Sequence, residues 1–335
     1  GFNTDKVAIS VNMFTFAGAF TEGRLLVLDY PLLRGMVPAA SATYFHSGAA
    51  VPSGISSANG GFCMHPVFTY SSTEPTLYFV SHMSSAGATY RLTRLTGTQP
   101  VALTLTIGAV TVRAGGAWVN LGGNLLPQAP EPAGGIGGTA ELEAQDAQIR
   151  CMPVFRNGSV YYAQSVGLPA GAATRSAVQW TQLNATTGAV VQGGRIEDPT
   201  ATFTNGLPNY AFGSIAVNAA DDILVGFSRF ESDDFVSAAY AYHDHTDAAG
   251  SMRTPYNYKL GEDYYECDFA TGASRNRWGD YSSTVVDPTD DMTMWTLQEY
   301  AETNIYGNTD IMNGTWGTWW ARVLASATAA EFDSF

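Results

Sequence analysis

The sequence predicts an all-β protein, a β-propeller built from four-stranded antiparallel blades. Three observations carry that expectation. An opening strand recurs four times, as Cys63-Met64-His65-Pro66-Val67-Phe68, Cys151-Met152-Pro153-Val154-Phe155, Phe212-Gly213-Ser214-Ile215-Ala216-Val217 and Trp278-Gly279-Asp280-Tyr281-Ser282-Ser283. Each is answered after a short polar turn by an aromatic, alternating strand: Leu77 to His82, Val160 to Ser165, Ile223 to Ser228 and Met294 to Glu299. Helical periodicity is nearly absent, with Ala140-Glu141-Leu142-Glu143-Ala144 offering one or two turns of good helix formers. One such sheet cannot bury both of its faces, so a repeated all-strand unit implies neighbours stacked around an axis.

In chain order, Asp5 to Phe14 reads as the second strand of a blade and Gly23 to Tyr30 as its third. The strand that should precede them is missing, so the first blade, at about 2–35, is partial. That predicts a chain cut from a longer precursor, or a blade completed by another segment. A glycine- and serine-rich loop follows at about 35–61, then a full blade at about 62–114. The glycine-proline stretch from Pro127 to Gly138 marks a second long loop, at about 115–147. Three more blades are expected at about 148–198, 211–264 and 278–323, all within one domain. Their turns carry tight-turn residues: Asn157-Gly158, Asn184 to Gly188, Ala220-Asp221-Asp222, Asp247 to Gly250, and Asp287-Pro288. Third strands are placed at Ser176 to Leu183 and Ser237 to His243.

Composition bounds the partners. Sixteen basic residues against thirty acidic ones give a net charge of -14, which repels phosphate backbones and argues against nucleic acid. The longest apolar runs are strand-length, so membrane insertion is not expected. Charged residues are 14% of the chain, and Gly, Ser, Thr, Ala and Asn carry the surface instead, as suits an exported protein. Three cysteines permit one disulfide at most. Cys63 and Cys151 hold equivalent places on successive opening strands; they read either as a bridge or as two buried small hydrophobes.

The run Asn276-Arg277-Trp278-Gly279-Asp280-Tyr281-Ser282, then Val286-Asp287-Pro288, Trp295-Thr296-Leu297-Gln298-Glu299-Tyr300 and Trp316-Gly317-Thr318-Trp319, resembles the final-blade signature of secreted bacterial β-propeller proteins. These are mostly uncharacterised and in part sialidase-like. The upstream stretches Arg175 to Trp180 and Ile215 to Asn218 are similar to the same proteins. The resemblance implies the fold and a secreted or cell-surface location, and it implies no reaction.

Four constellations could carry chemistry. Arg150 and Arg277 stand at the mouths of opening strands, with Asp280, Tyr281 and Glu299 close to one of them. Arginines beside a carboxyl pair and a tyrosine are the parts of a glycosidase site, although the Ser-x-Asp-x-Gly-x-Thr-Trp turns of sialidases are absent. His243 and His245, two residues apart on a strand, would share a face and could bind one transition metal. Asp221 and Asp222, and Asp287 with Asp290 and Asp291, offer oxygen ligands suited to calcium, the one cofactor expected. Trp316, Trp319, Trp320 and Tyr300 could stack on sugar rings, with at least one tryptophan packed between blades instead.

Two functions follow. The first is a non-catalytic extracellular binding or structural module, presenting its loops and faces to carbohydrate, to protein surfaces or to other copies of itself. A broken first blade would offer an unpaired edge for such self-assembly. The second is a glycoside hydrolase acting through Arg150, Arg277, Asp280, Tyr281 and Glu299.

Overall fold

The computed structural model describes residues 1–36, 64–83, 89–98, 103–113, 117–122, 125–129, 141–266, 276–304 and 314–324, and the backbone of 42–45. It is all-β. In chain order the elements are β1 (Lys6–Phe14), β2 (Phe20–Asp29), the single-turn helix α1 (Tyr30–Arg34), β3 (Ala42–Phe45), β4 (His65–Pro66), β5 (Phe68–Thr69), β6 (Leu77–His82), β7 (Thr89–Thr96), β8 (Thr104–Thr106) and β9 (Val110–Val112). There follow β10 (Leu125–Pro127), β11 (Glu141–Glu143), β12 (Val154–Arg156), β13 (Ser159–Leu168), β14 (Arg175–Asn184) and β15 (Val190–Ile196). The last group is β16 (Asn209–Val217), β17 (Ile223–Phe230), β18 (Ser237–His243), β19 (Tyr256–Lys259), β20 (Ser283–Val286), β21 (Met294–Ala301) and β22 (Trp316–Val323). No helix among the described residues is long and apolar enough to cross a membrane.

The repeats fold mainly as up-and-down antiparallel sheets. The orders are β1-β2-β3, β4-β6-β7-β8 with β9 also paired to β7, β10-β11, β15-β14-β13-β12-β5, β16-β17-β18-β19 and β20-β21-β22; β5, whose Phe68 ends the first expected opening strand, leaves that repeat and pairs in parallel with β12. The tight turns do what their residues allow. Asn157 and Gly158 both take positive φ, 46° and 75°, and turn β12 into β13. At the β14–β15 hairpin the Asn184 carboxamide accepts from the amides of Thr186 and Thr187, and Gly188 takes φ 75°.

Packing divides the chain into two units. One comprises Gly1–Ala117, Met152–Tyr162 and Thr181–Gln192; the other comprises Trp118–Cys151, Ala163–Trp180 and Gly193–Phe335. In the first, Ala8, Leu25, Val27, Leu77, Phe79 and Leu95 form an apolar core from the strands of the first two sheets. Lys6 is fully buried there, its ammonium held by Asp5 at 2.7 Å and the Pro75 carbonyl at 2.9 Å.

In the second unit, β16 and β17 lie face to face with β20 and β21. The contact is polar at its centre: Ser214, Thr284, Thr296 and Gln298 close a buried circuit of hydrogen bonds. The hydroxyls of Ser214 and Thr284 are 2.7 Å apart, those of Thr284 and Thr296 3.0 Å, and Gln298 Nε2 donates to Ser214 and Thr296, each at 2.9 Å. Gly226 on β17 makes room for it, because a Cβ there would overlap Thr296 Oγ1 and Gln298 Nε2.

Three expectations are corrected. The opening strand of the last repeat is Ser283–Val286, not Trp278 to Ser283, because the Asn276–Arg277 backbone is drawn into a parallel bridge with Glu143. Where helical turns are expected at Ala140 to Ala144, Glu141–Glu143 instead form strand β11, paired with β10, and Ala140 lies outside the described residues: sheet pairing overrides local helix propensity. The helix that does form, α1, starts at Tyr30 under the Asp29 cap with Pro31 in its first turn, outside any periodic run. Most of the two long loops expected at 35–61 and 115–147 lies outside the described residues, but β3, β10 and β11 fall within them.

Candidate acid–base cleft

Trp278 anchors the site. It is 2% exposed, its indole N–H donates to Ser228 Oγ at 3.2 Å, and it meets Tyr265 edge-on at 4.8 Å. Around it pack Leu121, Leu126, Leu142 and Phe230. With the tryptophan fixed, the next residues, Gly279 and Asp280, are delivered to the surface at one end of β21.

Backbone and side-chain bonds hold that segment from the other side. The Glu143 amide donates to the Asn276 carbonyl at 2.7 Å, and Asn276 Nδ2 donates to the Tyr265 carbonyl at 3.0 Å. Gln145, with φ 58°, donates from Nε2 to the Gly279 carbonyl at 3.0 Å and to Asp280 Oδ1. Arg277 adds a second donor to the same carboxylate oxygen at 3.3 Å.

Glu299 projects from β21 over Gly279, which only glycine permits: a Cβ at 279 would overlap its Oε2. Burial and then the charge of Asp280 push the Glu299 carboxyl up to about 7. It is therefore about half protonated at neutrality, and it lies beside the Asp280 carboxyl, which an arginine and an amide hold in place. The cleft between them has a volume of about 220 Å³ and is lined by Tyr265, Arg277, Trp278, Asp280, Glu299 and Trp316.

Of the five residues expected to form a glycosidase site, Arg277, Asp280 and Glu299 line the cleft. Arg150 is a neighbour: burial works against its charge, but Asp146, at 2.9 Å, with Tyr281 and Asp280 outweighs that and raises its pKa. Tyr281 is 66% exposed and outside the lining. Gln145 and Asp146 were not anticipated. They lie in a stretch read as loop, and nothing in their local sequence marks a side chain that reaches Asp280 or Arg150.

The expected metal sites are rearranged. His243 and His245 do not share a face, because β18 ends at His243. His243 is buried, donates Nδ1–H to the Ser251 carbonyl at 2.8 Å and lies against the Trp180 ring. His245, beyond the strand, turns to Asp222: its amide and its Nδ1 both reach Asp222 Oδ1, at 2.9 and 2.8 Å. Burial opposes ionisation of Asp222, yet these bonds and Asn218 hold its pKa below the ordinary value. The hydrogen bond to Asp222 in turn raises the pKa of His245. Asp222, Asp244 and His245 each bring a ligand atom within 4.8 Å of the others, a set that joins one residue from each of two expected sites.

Asp221 occupies a turn at φ 69° and Asp291 one at φ 58°. The carboxylates of Asp287 and Asp290 are taken up by local donors: Asp287 accepts from Thr289 and from the Trp295 indole, Asp290 from Met292 and Thr293. These bonds lower both pKa values and serve turn closure. Cys151 is a free buried thiol, pushed up to about 12 by burial; its expected partner Cys63 lies outside the described residues.

No family model matches the chain, and no curated protein matches it. Among solved structures it is similar to the crystal structure of polysaccharide lyase Uly1, with 10% identity over 99% of this chain and 71% of that chain, at a TM-score of 0.44. Likeness at that level carries no argument for fold or chemistry.

Proposed function

We propose that this chain is a secreted β-propeller protein that cleaves glycosidic bonds in the Glu299–Asp280 cleft. The observation that carries the reading is the carboxyl pair: one group whose pKa burial raises to about 7, the other held in place by hydrogen bonds from Arg277 and Gln145. Two carboxyls whose environments set them to opposite roles are what glycoside hydrolysis requires. The aromatic lining from Tyr265, Trp278 and Trp316 suits the apolar face of a sugar ring. The succession of antiparallel up-and-down sheets, two of them packed face to face in the second unit, supports the propeller reading.

In this reading Glu299 donates its proton to the glycosidic oxygen as the bond to the anomeric carbon breaks. The Asp280 carboxylate faces the positive charge that develops on that carbon, and water supplies the new hydroxyl and restores the proton. The raised pKa of Glu299, in a cleft beside Asp280, favours the hydrolase over a purely binding module.

Reducing-end release tests it. Wild-type protein is incubated with a panel of polysaccharides and aryl glycosides, beside Glu299→Gln. Release that the variant abolishes, and that falls as pH rises through about 7, supports the reading. An absence of turnover on every substrate sinks it.

A further inference from the structure

The outward face of the last sheet carries a row of exposed aromatic side chains that runs through the cleft. Strand alternation and register put Trp295, Leu297 and Glu299 of β21 on one face with Trp316, Thr318, Trp320 and Arg322 of β22, as Trp295 faces Arg322, Leu297 faces Trp320, Glu299 faces Thr318, and Ala301 faces Trp316. Trp316 is 53% exposed and Trp320 42%, so neither is a core residue. Trp319, between them in sequence, points the other way onto Tyr300 and Lys259.

The register sets the acid between the two rings. Thr318, the residue opposite Glu299, lies two positions from Trp316 and two from Trp320. The two tryptophans are about 13 Å apart along β22 at the strand rise. That is farther than one pyranose ring can bridge, and it suits an extended chain whose linkage crosses Glu299 midway.

The far end of the row is held rigid. Trp295 packs 5.1 Å from Trp320, its indole N–H donates to Asp287 Oδ2 at 3.0 Å, and the Arg322 guanidinium covers its ring at 5.8 Å. A platform fixed in advance costs little ordering when a ligand stacks on it.

We propose that Trp316, Trp320 and Trp295 form a track for a linear, neutral polysaccharide, with Glu299 beneath its scissile linkage. The proposal rests on the reading of the cleft as a sugar site and names its substrate as a polymer. Continuity carries the assignment, since Trp316 belongs to both the cleft and the row. Charge selects a neutral chain: Arg277 and Arg150 are already paired with Asp280 and Asp146, and the protein as a whole bears -14.

Affinity electrophoresis of the full chain tests it, with Glu299→Gln as the parent so that polymer is bound and not cut. Native gels contain soluble β-glucan, arabinoxylan, glucomannan or polygalacturonate. At least one neutral polymer is expected to retard the parent; adding Trp320→Ala should weaken that binding about tenfold, and Trp320→Phe should restore most of it. No retardation by any neutral polymer, retardation by polygalacturonate alone, or retardation indifferent to Trp320→Ala overturns the track. Trp320-dependent binding in a protein whose wild type cleaves nothing upholds the track and removes the cleavage reading. Cleavage that requires Glu299, beside binding indifferent to Trp320, does the reverse.

Discussion

The carboxyl of Glu299 lies against the backbone of Gly279, with no room for a methyl group between them. The acid is thus positioned by the lack of a side chain on its neighbour. Gly279→Ala must displace either Glu299 or the segment that Trp278 anchors. A shift of about 1 Å at a catalytic group costs about a hundredfold in rate, so kcat/KM should fall by that order. Circular dichroism and thermal melting should show the variant folded, and unaltered turnover would contradict the placement of Glu299.

The same carboxyl makes stability depend on pH. Its folded value, about 7, lies above the ordinary 4.5, so the folded state holds the proton more tightly than the unfolded chain does. Stability therefore declines as pH rises from about 4.5 to about 7, and above that the cost is constant. Glu299→Gln removes it. The variant should gain about 1–3 kcal/mol at pH 8, discounted for partial exposure, and almost nothing at pH 4. Thermal melts at the two pH values check this.

His245 titrates in the same direction, although its protonated form is the charged one. The hydrogen bond to Asp222 raises its pKa above the ordinary 6.5, so the contribution of the charged pair is complete below about 6.5 and lost as pH rises through the folded value. Asp222→Asn should bring the His245 titration back toward 6.5, as followed by its ring proton resonances. An unmoved midpoint would show that Asp222 is not its partner.

Gly226 faces the buried circuit of Ser214, Thr284, Thr296 and Gln298. Gly226→Ala should cost about 1–3 kcal/mol through overpacking and broken hydrogen bonds. A denaturant melt with a lower midpoint and an unchanged slope is the expected result.

Much of this architecture is legible along the chain, because it rests on local chemistry. Asn157-Gly158 can turn a hairpin whatever surrounds it, and Ser237 to His243 alternates as a strand and forms one with those bounds. The misreadings have a common cause: each concerns partners distant in sequence. Nothing near Trp278 foretells that the backbone beside it pairs with Glu143, and by local pattern alone its stretch reads as strand. His243 and His245 differ because one side chain meets Trp180 and Ser251 and the other Asp222. At the cleft, Arg277, Asp280 and Glu299 were visible as chemistry. The raised pKa of Glu299 is not, since it depends on burial.

The hydroxyl circuit between β16 and β20–β21 has a consequence for the cleft. Two apolar sheets in contact can slide on one another with small loss, whereas hydrogen bonds between Ser214, Thr284, Thr296 and Gln298 are satisfied at one offset alone. Gln298 precedes Glu299 on β21 and points to the opposite face. The strand therefore works like a bolt engaged at the back: what locks the hidden side sets how far the acid protrudes in front. Mutations behind the sheet should therefore also shift the titration of Glu299 in front of it.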